Sequence, residues 1–247
     1  KAAAIAIATN ARQMPPIPAT ADGSCQTFRN MRWLTDEEIA VITAWVRGGT
    51  PPGDPAHDPG PPGVPPHLGN DSLSLTLGEP YTPNPAPGSQ DDYRCFLLDP
   101  ALATTQFITA SEFLPEVRDQ AHHIAMYTVD PAEQAGPRTN AEAMAALDAA
   151  DPVPGWDCYG SPGDGVLPHG LVGVYAPGTT VTEMPPETGL ALRAGDVVVV
   201  QIHYHVNGAP VADQSTIKLR LADHVARPAV SVFRDALLES LFQGNPA

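Results

Sequence analysis

The chain is poor in several things, and each shortage excludes a class of function. Lysine and arginine together number 13 against 28 aspartates and glutamates, a formal charge of −15. A surface that acidic disfavours nucleic acid and anionic membrane as partners. Cysteine occurs three times, at Cys25, Cys95 and Cys158, with no C-x-x-C zinc pair and no C-x-x-C-H haem-attachment motif. The simplest arithmetic is one disulfide plus one odd thiol. No apolar run reaches the roughly 18 residues that a membrane-spanning helix needs. A glycine-rich phosphate loop and a G-x-S-x-G nucleophile elbow are also missing, and neither Cys95 nor Cys158 sits in an activating context for thiolate chemistry. The acidic pairs Glu37-Glu38 and Asp91-Asp92 read as caps and solvated turns rather than catalytic acids.

Proline and glycine, by contrast, are abundant, at 29 and 21 residues. Residues 1–50 read as helical. An alanine-rich start stops at Met14-Pro15-Pro16, and Thr35-Asp36-Glu37-Glu38 is a capping box ahead of a second helix that ends at Gly48-Gly49. Residues 51–70 hold eight prolines in twenty and read as a stiff linker, in which His57 and His67 carry no expected role. From residue 71 the pattern turns to β. Leu73, Leu75 and Leu77 alternate with polar residues, and further strands are expected over 93–98, 106–113, 122–129, 171–175, 197–206 and 216–222. NAEAMAALDAA, over 140–150, reads as one short helix. Short strands with Pro/Gly turns predict a mainly β, antiparallel, jelly-roll-like sandwich over 71–225. Residues 226–247 read as a tail whose Leu237, Leu238, Leu241 and Phe242 want a partner surface.

Within that frame the histidines stand out. In VVVVQIHYHV, His203 and His205 lie two apart, so a strand puts both on one face and Tyr204 on the other. His122 and His123 open a second strand-like run, and the two runs could cross a sandwich and share an ion. Neighbours on a regular strand face opposite ways, so both can bind one ion only if the strand bulges or ends there. Three imidazoles without thiolate or carboxylate suit copper or zinc. His169 is a candidate fourth imidazole. Met126, Met144 and Met184 offer thioethers but read as core fillers. The separation of Cys95 and Cys158 permits a disulfide across the sandwich, with two buried free thiols as the alternative.

The run Asp92-Tyr93-Arg94-Cys95-Phe96, then His122-His123, then Gly155-Trp156-Asp157-Cys158, then Tyr175-Ala176-Pro177-Gly178, then Gln201-Ile202-His203-Tyr204 resembles the N-terminal catalytic domain of the copper type II, ascorbate-dependent monooxygenases. That family includes peptidylglycine α-hydroxylating and dopamine β-monooxygenases. The resemblance covers roughly residues 71–222. It implies that His122, His123 and His203 hold one electron-storing copper, that Cys95 pairs with Cys158, and that ascorbate or another donor supplies electrons. His205 is not among the three ligands implied and stays a possible additional one. In the family, oxygen and substrate react at a second copper, in a following domain that brings a His-x-His pair and a Met; here only His224 follows His205. The expectation is therefore a copper-binding redox domain whose oxygen-activating half lies in another domain or a partner subunit. A non-catalytic structural or copper-carrying subunit is the alternative. Met14-Pro15-Pro16 with ITAWVRGG also resembles the C-terminal half of a class I cytochrome c, which implies Met14 as an axial haem ligand, conditional on an attachment motif upstream of Lys1. A secreted or periplasmic location follows from the family and the disulfide.

Overall fold

The computed structural model describes residues 1–15, 33–58, 60 and 66–231. Cys25 and the apolar residues expected in the tail lie outside the described residues. The chain divides into two compact units, Lys1–Gly63 and Val64–Ala247.

The first unit contains α1 (Ala2–Asn10) and α2 (Asp36–Arg47). The capping box forms as the sequence predicts: the Thr35 hydroxyl accepts from Glu38 N while the Glu38 carboxylate accepts from Thr35 N. The two helices are joined by the Asn10 amide donating to the Thr43 hydroxyl at 2.8 Å and by the Arg12–Asp36 ion pair. Ile7 and Val41 stay exposed, and so does Met14.

The second unit is mainly β. Its strands are β1 (Leu73–Thr76), β2 (Asp91–Leu98), β3 (Gln106–Leu114), β4 (Ala121–Val129), β5 (Gln134–Ala135) and β6 (Arg138–Thr139). After α3 (Asn140–Ala150) come β7 (Trp156–Asp157), β8 (Gly170–Tyr175), β9 (Thr182–Glu183), β10 (Thr188–Leu192), β11 (Val197–His205), β12 (Thr216–Ala222) and β13 (Arg227–Ala229). One sheet runs β1-β12-β3-β10-β13, with β9 also on β3; the other runs β7-β2-β11-β4-β8. Every pairing in the two sheets is antiparallel except β10 with β13. Pairing therefore continues through Ala229, into the stretch that reads as tail in the sequence.

The two sheets share one core. Leu75, Ile108, Phe113, Leu192, Ile217 and Leu219 from the first meet Phe96, Ile124, Met126, Val198, Val200, Ile202 and Tyr204 from the second. This is the arrangement of a β-sandwich. Along β11 the even-numbered residues fill that core, as strand alternation requires. The odd-numbered ones, Val197, Val199, Gln201, His203 and His205, point to the outer face of the same sheet. A second apolar cluster covers half of that outer face, where Ala143 and Met144 of α3 pack with Trp156, Cys95, Cys158 and Val199. Beyond Gln201, which donates to the Ser161 carbonyl at 2.9 Å, β11 offers that face only His203 and His205.

β10 and β13 are absent from the strand pattern of the sequence. TGLAL is short and has no β-branched alternation, and its position comes from pairing with β3. A Cβ on Gly189 would stand 2.9 Å from the Phe107 Cβ, so the strand fits only as glycine there.

The loop leading to β7 is organised by a buried arginine. Arg94 spends all five guanidinium N–H groups. Nε donates to the Pro154 carbonyl, Nη1 to Asp151 and Asp157, and Nη2 to the carbonyls of Val153 and Gly155. The Arg94 hydrogen bond holds the Asp151 carboxyl below its ordinary range. A carboxyl depressed in the folded state gives stability that is full above its unfolded value, near pH 3.9, and lost as pH falls through the folded value. Asp151→Asn is therefore expected to flatten the acid limb of stability below about pH 4. Thermal melts across that range check this; an acid limb as steep as the parent's would count against it. The effect should be modest, because Asp151 is partly solvated.

Candidate metal centre

β11 and β4 do not face each other across the sandwich. They are antiparallel neighbours in one sheet, with His203 opposite His123. The register then shifts: Tyr204 pairs with Ala121, so His122 is the extra residue of a bulge. Ala121 and Ile124 both face the core, and the two histidines between them both turn outward. This is the bulge that the adjacent pair requires if both rings are to meet one ion.

The result is a triangle of Nδ1 atoms. His122 Nδ1 lies 3.3 Å from His123 Nδ1 and 3.1 Å from His203 Nδ1, and His203 Nδ1 lies 3.1 Å from His123 Nδ1. Three nitrogens each about 2.0–2.1 Å from one ion in a tetrahedral arrangement stand about 3.3 Å apart. The donor set therefore fits a first-row metal ion. His122 is exposed, His123 half-buried and His203 buried, so the cluster is rooted in the sheet and open at one corner. All ligand atoms come from imidazole, which suits copper or zinc over magnesium or calcium.

Burial is the main influence on the two inner rings. It pushes His123 below the ordinary imidazole value, aided by repulsion from His203 and His122. His203 is also lowered by burial, which outweighs the opposing hydrogen bond to Asp91. Both shifts favour the neutral ring, the form that binds metal.

Around the cluster, Tyr93 of β2 stacks flat on His203, with centroids 4.1 Å apart and planes 6° apart. The exposed Tyr159 meets Tyr93 edge-on at 4.8 Å. Asp91 Oδ1 lies 2.9 Å from His203 Nε2 and 2.7 Å from His205 Nδ1. These two bonds, His205 first, hold the Asp91 carboxyl below its ordinary range. The sequence reading of Asp91 as a solvated turn is thereby corrected: it opens β2 and reaches both histidines. Nothing local signals this, because it depends on β2 lying beside β11. Its neighbour Asp92 turns inward and accepts from the Tyr81 hydroxyl and Asn84 N.

The other candidates fall elsewhere. His205 reaches the cluster only at ring distance, 6.0 Å from His122, and spends its Nδ1 on Asp91. Arg193 reaches His169 Nδ1 at 2.9 Å, and His169 Nε2 lies 3.1 Å from the buried Asp196 without hydrogen-bond geometry. Burial raises the Asp196 carboxyl. His67 pairs with the buried Glu112. Met126 and Met144 are core residues.

Cys95 and Cys158 form a disulfide. It does not cross the sandwich. β7, just ahead of Cys158, pairs with β2, with Trp156 opposite Cys95, so the bond staples neighbouring segments on the outer face. Gly155 lets the chain come this close: its φ is +72°, and a Cβ there would stand 2.2 Å from the Cys95 carbonyl oxygen. The loop spans 63 residues, for which the chain-entropy argument gives about 4 kcal/mol. Replacing both cysteines by serine is expected to lower stability by about 2–5 kcal/mol in urea unfolding. A midpoint matching the parent's would contradict this.

Neither the known protein families nor the curated proteins contain a match to this chain. Among the described residues no helix is long and apolar enough to cross a membrane.

Proposed function

We propose that this chain is the copper-binding redox domain of a copper type II, ascorbate-dependent monooxygenase-like protein, with His122, His123 and His203 as the ligands. The single observation that carries the reading is the convergence of three Nδ1 atoms at 3.1–3.3 Å. It is supported by the disulfide between Cys95 and Cys158, the pairing that the resemblance implies. Copper held there would store one electron by cycling between Cu(I) and Cu(II). The chain's own part is to hold three neutral imidazoles on a rigid sheet, so that the site needs little reorganisation. In this reading the sandwich has the family's jelly-roll connectivity and the protein is secreted or periplasmic. Electrons come from ascorbate or another donor and leave for a second copper outside these 247 residues, where O2-dependent C–H hydroxylation takes place.

The cytochrome c-like reading of residues 1–50 belongs to the same proposal. Met14, half-exposed, is the axial candidate. The residues present do not by themselves fit a covalently attached haem, since these 247 residues hold no C-x-x-C-H motif.

Elemental analysis with electron paramagnetic resonance tests the reading. The expected result is about one copper per chain, with a Cu(II) signal that ascorbate abolishes. Zinc in its place, or no metal, overturns it. A second reading, a non-catalytic copper-carrying subunit, draws on the exposed position of His122. Copper that binds but resists reduction by ascorbate would favour that role.

A further inference from the structure

We propose that Asp91 is a positioning residue of this centre: it selects Nδ1 of His203 as the metal-binding nitrogen, and His205 serves to hold Asp91 rather than to bind metal. The metal readouts below rest on the copper-binding reading; the hydrogen bonds do not.

The argument starts from register. Asp91 stands directly across from His205, and Tyr93 directly across from His203. Asp91 is therefore the diagonal neighbour of His203 on the same face, within reach of its ring. An ionised carboxylate only accepts hydrogen bonds. At 2.9 Å from Asp91 Oδ1, His203 Nε2 must carry the proton, which leaves the lone pair on Nδ1, the atom facing His122 and His123. Tyr93 fixes the plane of the ring and Asp91 fixes its end. Were the ring to turn over, the Nε2 bond and the stack would both have to be remade. A carboxylate that orients a metal-binding imidazole in this way also raises its basicity.

His205 fits the supporting role. Its Nδ1–H is given to the same Asp91 oxygen at 2.7 Å, so the nitrogen that the other three rings turn towards each other is occupied. Asp91 is half-exposed, and one hydrogen bond would leave it free to swing into water. The second, from the residue directly opposite, confines it.

Two measurements decide the matter. In metal-free protein labelled with 15N-histidine, at about pH 8, above the ordinary imidazole value of about 6.5, the parent should show His203 as the Nε2–H tautomer. Asp91→Ala should show a mixture. In copper titrations Asp91→Ala should bind roughly 10–100-fold more weakly, with Asp91→Asn between it and the parent and His205→Gln losing less than Asp91→Ala. Melting of the metal-free variants reports any general loss of structure, and the near-isosteric Asp91→Asn keeps the test open if the alanine variant does not fold. An unchanged tautomer together with unchanged affinity in Asp91→Ala overturns the proposal. So does a His205→Gln variant that loses copper as fully as His203→Ala. If the parent binds no copper the functional reading fails, and the tautomer measurement still decides what Asp91 does.

Discussion

Replacing His203 by alanine is expected to empty the metal centre, and His122→Ala is expected to do the same. Each ring provides one of only three nitrogens, and two imidazoles at about 3 Å cannot hold an ion as three can. The loss should exceed the roughly 10–100-fold that removal of an outer hydrogen bond costs. The two variants should differ in everything else. His203 is buried beneath Tyr93 and tied to Asp91, so its removal also leaves a gap under Tyr93 and Asp91 with His205 as its one remaining imidazole partner. His122 is the exposed residue of a bulge, and its loss should leave the melting temperature of the metal-free protein where it was. Copper retained at parental affinity in either variant would show that the triangle of nitrogens is not the binding site.

The largest effect on stability is expected from Arg94. Its side chain is almost wholly buried, and it ties two carboxylates and three carbonyls of the 151–157 loop to β2. Alanine would take all five donors from those groups at once and leave a void where the buried guanidinium lay. The carboxylates left behind are solvated, Asp157 almost fully, so the loss comes from the five hydrogen bonds and is expected at about 3 kcal/mol, a large share of the roughly 5–15 kcal/mol that holds an ordinary domain together. Arg94→Lys keeps the charge but has three donors for five acceptors and lacks the planar fork, so it should fall between alanine and the parent. Equilibrium urea unfolding measures both. A loss below about 1 kcal/mol in Arg94→Ala would mean that water replaces the guanidinium. Because Arg94 is the residue before Cys95, the same loop that it anchors delivers Cys158 to its partner.

Much of the local structure was legible in the chain. The capping box at Thr35 formed where four residues spell it, and the helix over 140–150 formed within the bounds that its composition suggests. Alternation along 197–205 put His203 and His205 on one face and Tyr204 on the other, because side-chain direction in a strand is a property of the strand alone; that Tyr204 faces the core came from the packing of the two sheets. The need for a bulge at His122-His123 was legible too, as a condition: two adjacent rings can share an ion only there.

Whether the condition is met is not a local matter. It depends on β4 lying beside β11 in a register that pairs His203 with His123 and Tyr204 with Ala121, and that register is set by which apolar faces close the sandwich. The sequence alone suggested two strands crossing a core, and a disulfide crossing with them. The tertiary structure made both neighbours on one outer face. Asp91 shows the same limit: beside Asp92 it reads as a solvated turn, and only the pairing of β2 with β11 brings it to His203 and His205. So the sequence by itself determined the residue types of the centre and the face each strand offers, through periodicities that span a few residues. The meeting of those faces, and the choice of Nδ1 over Nε2, came from contacts between residues about 80 to 110 positions apart, which no local pattern encodes.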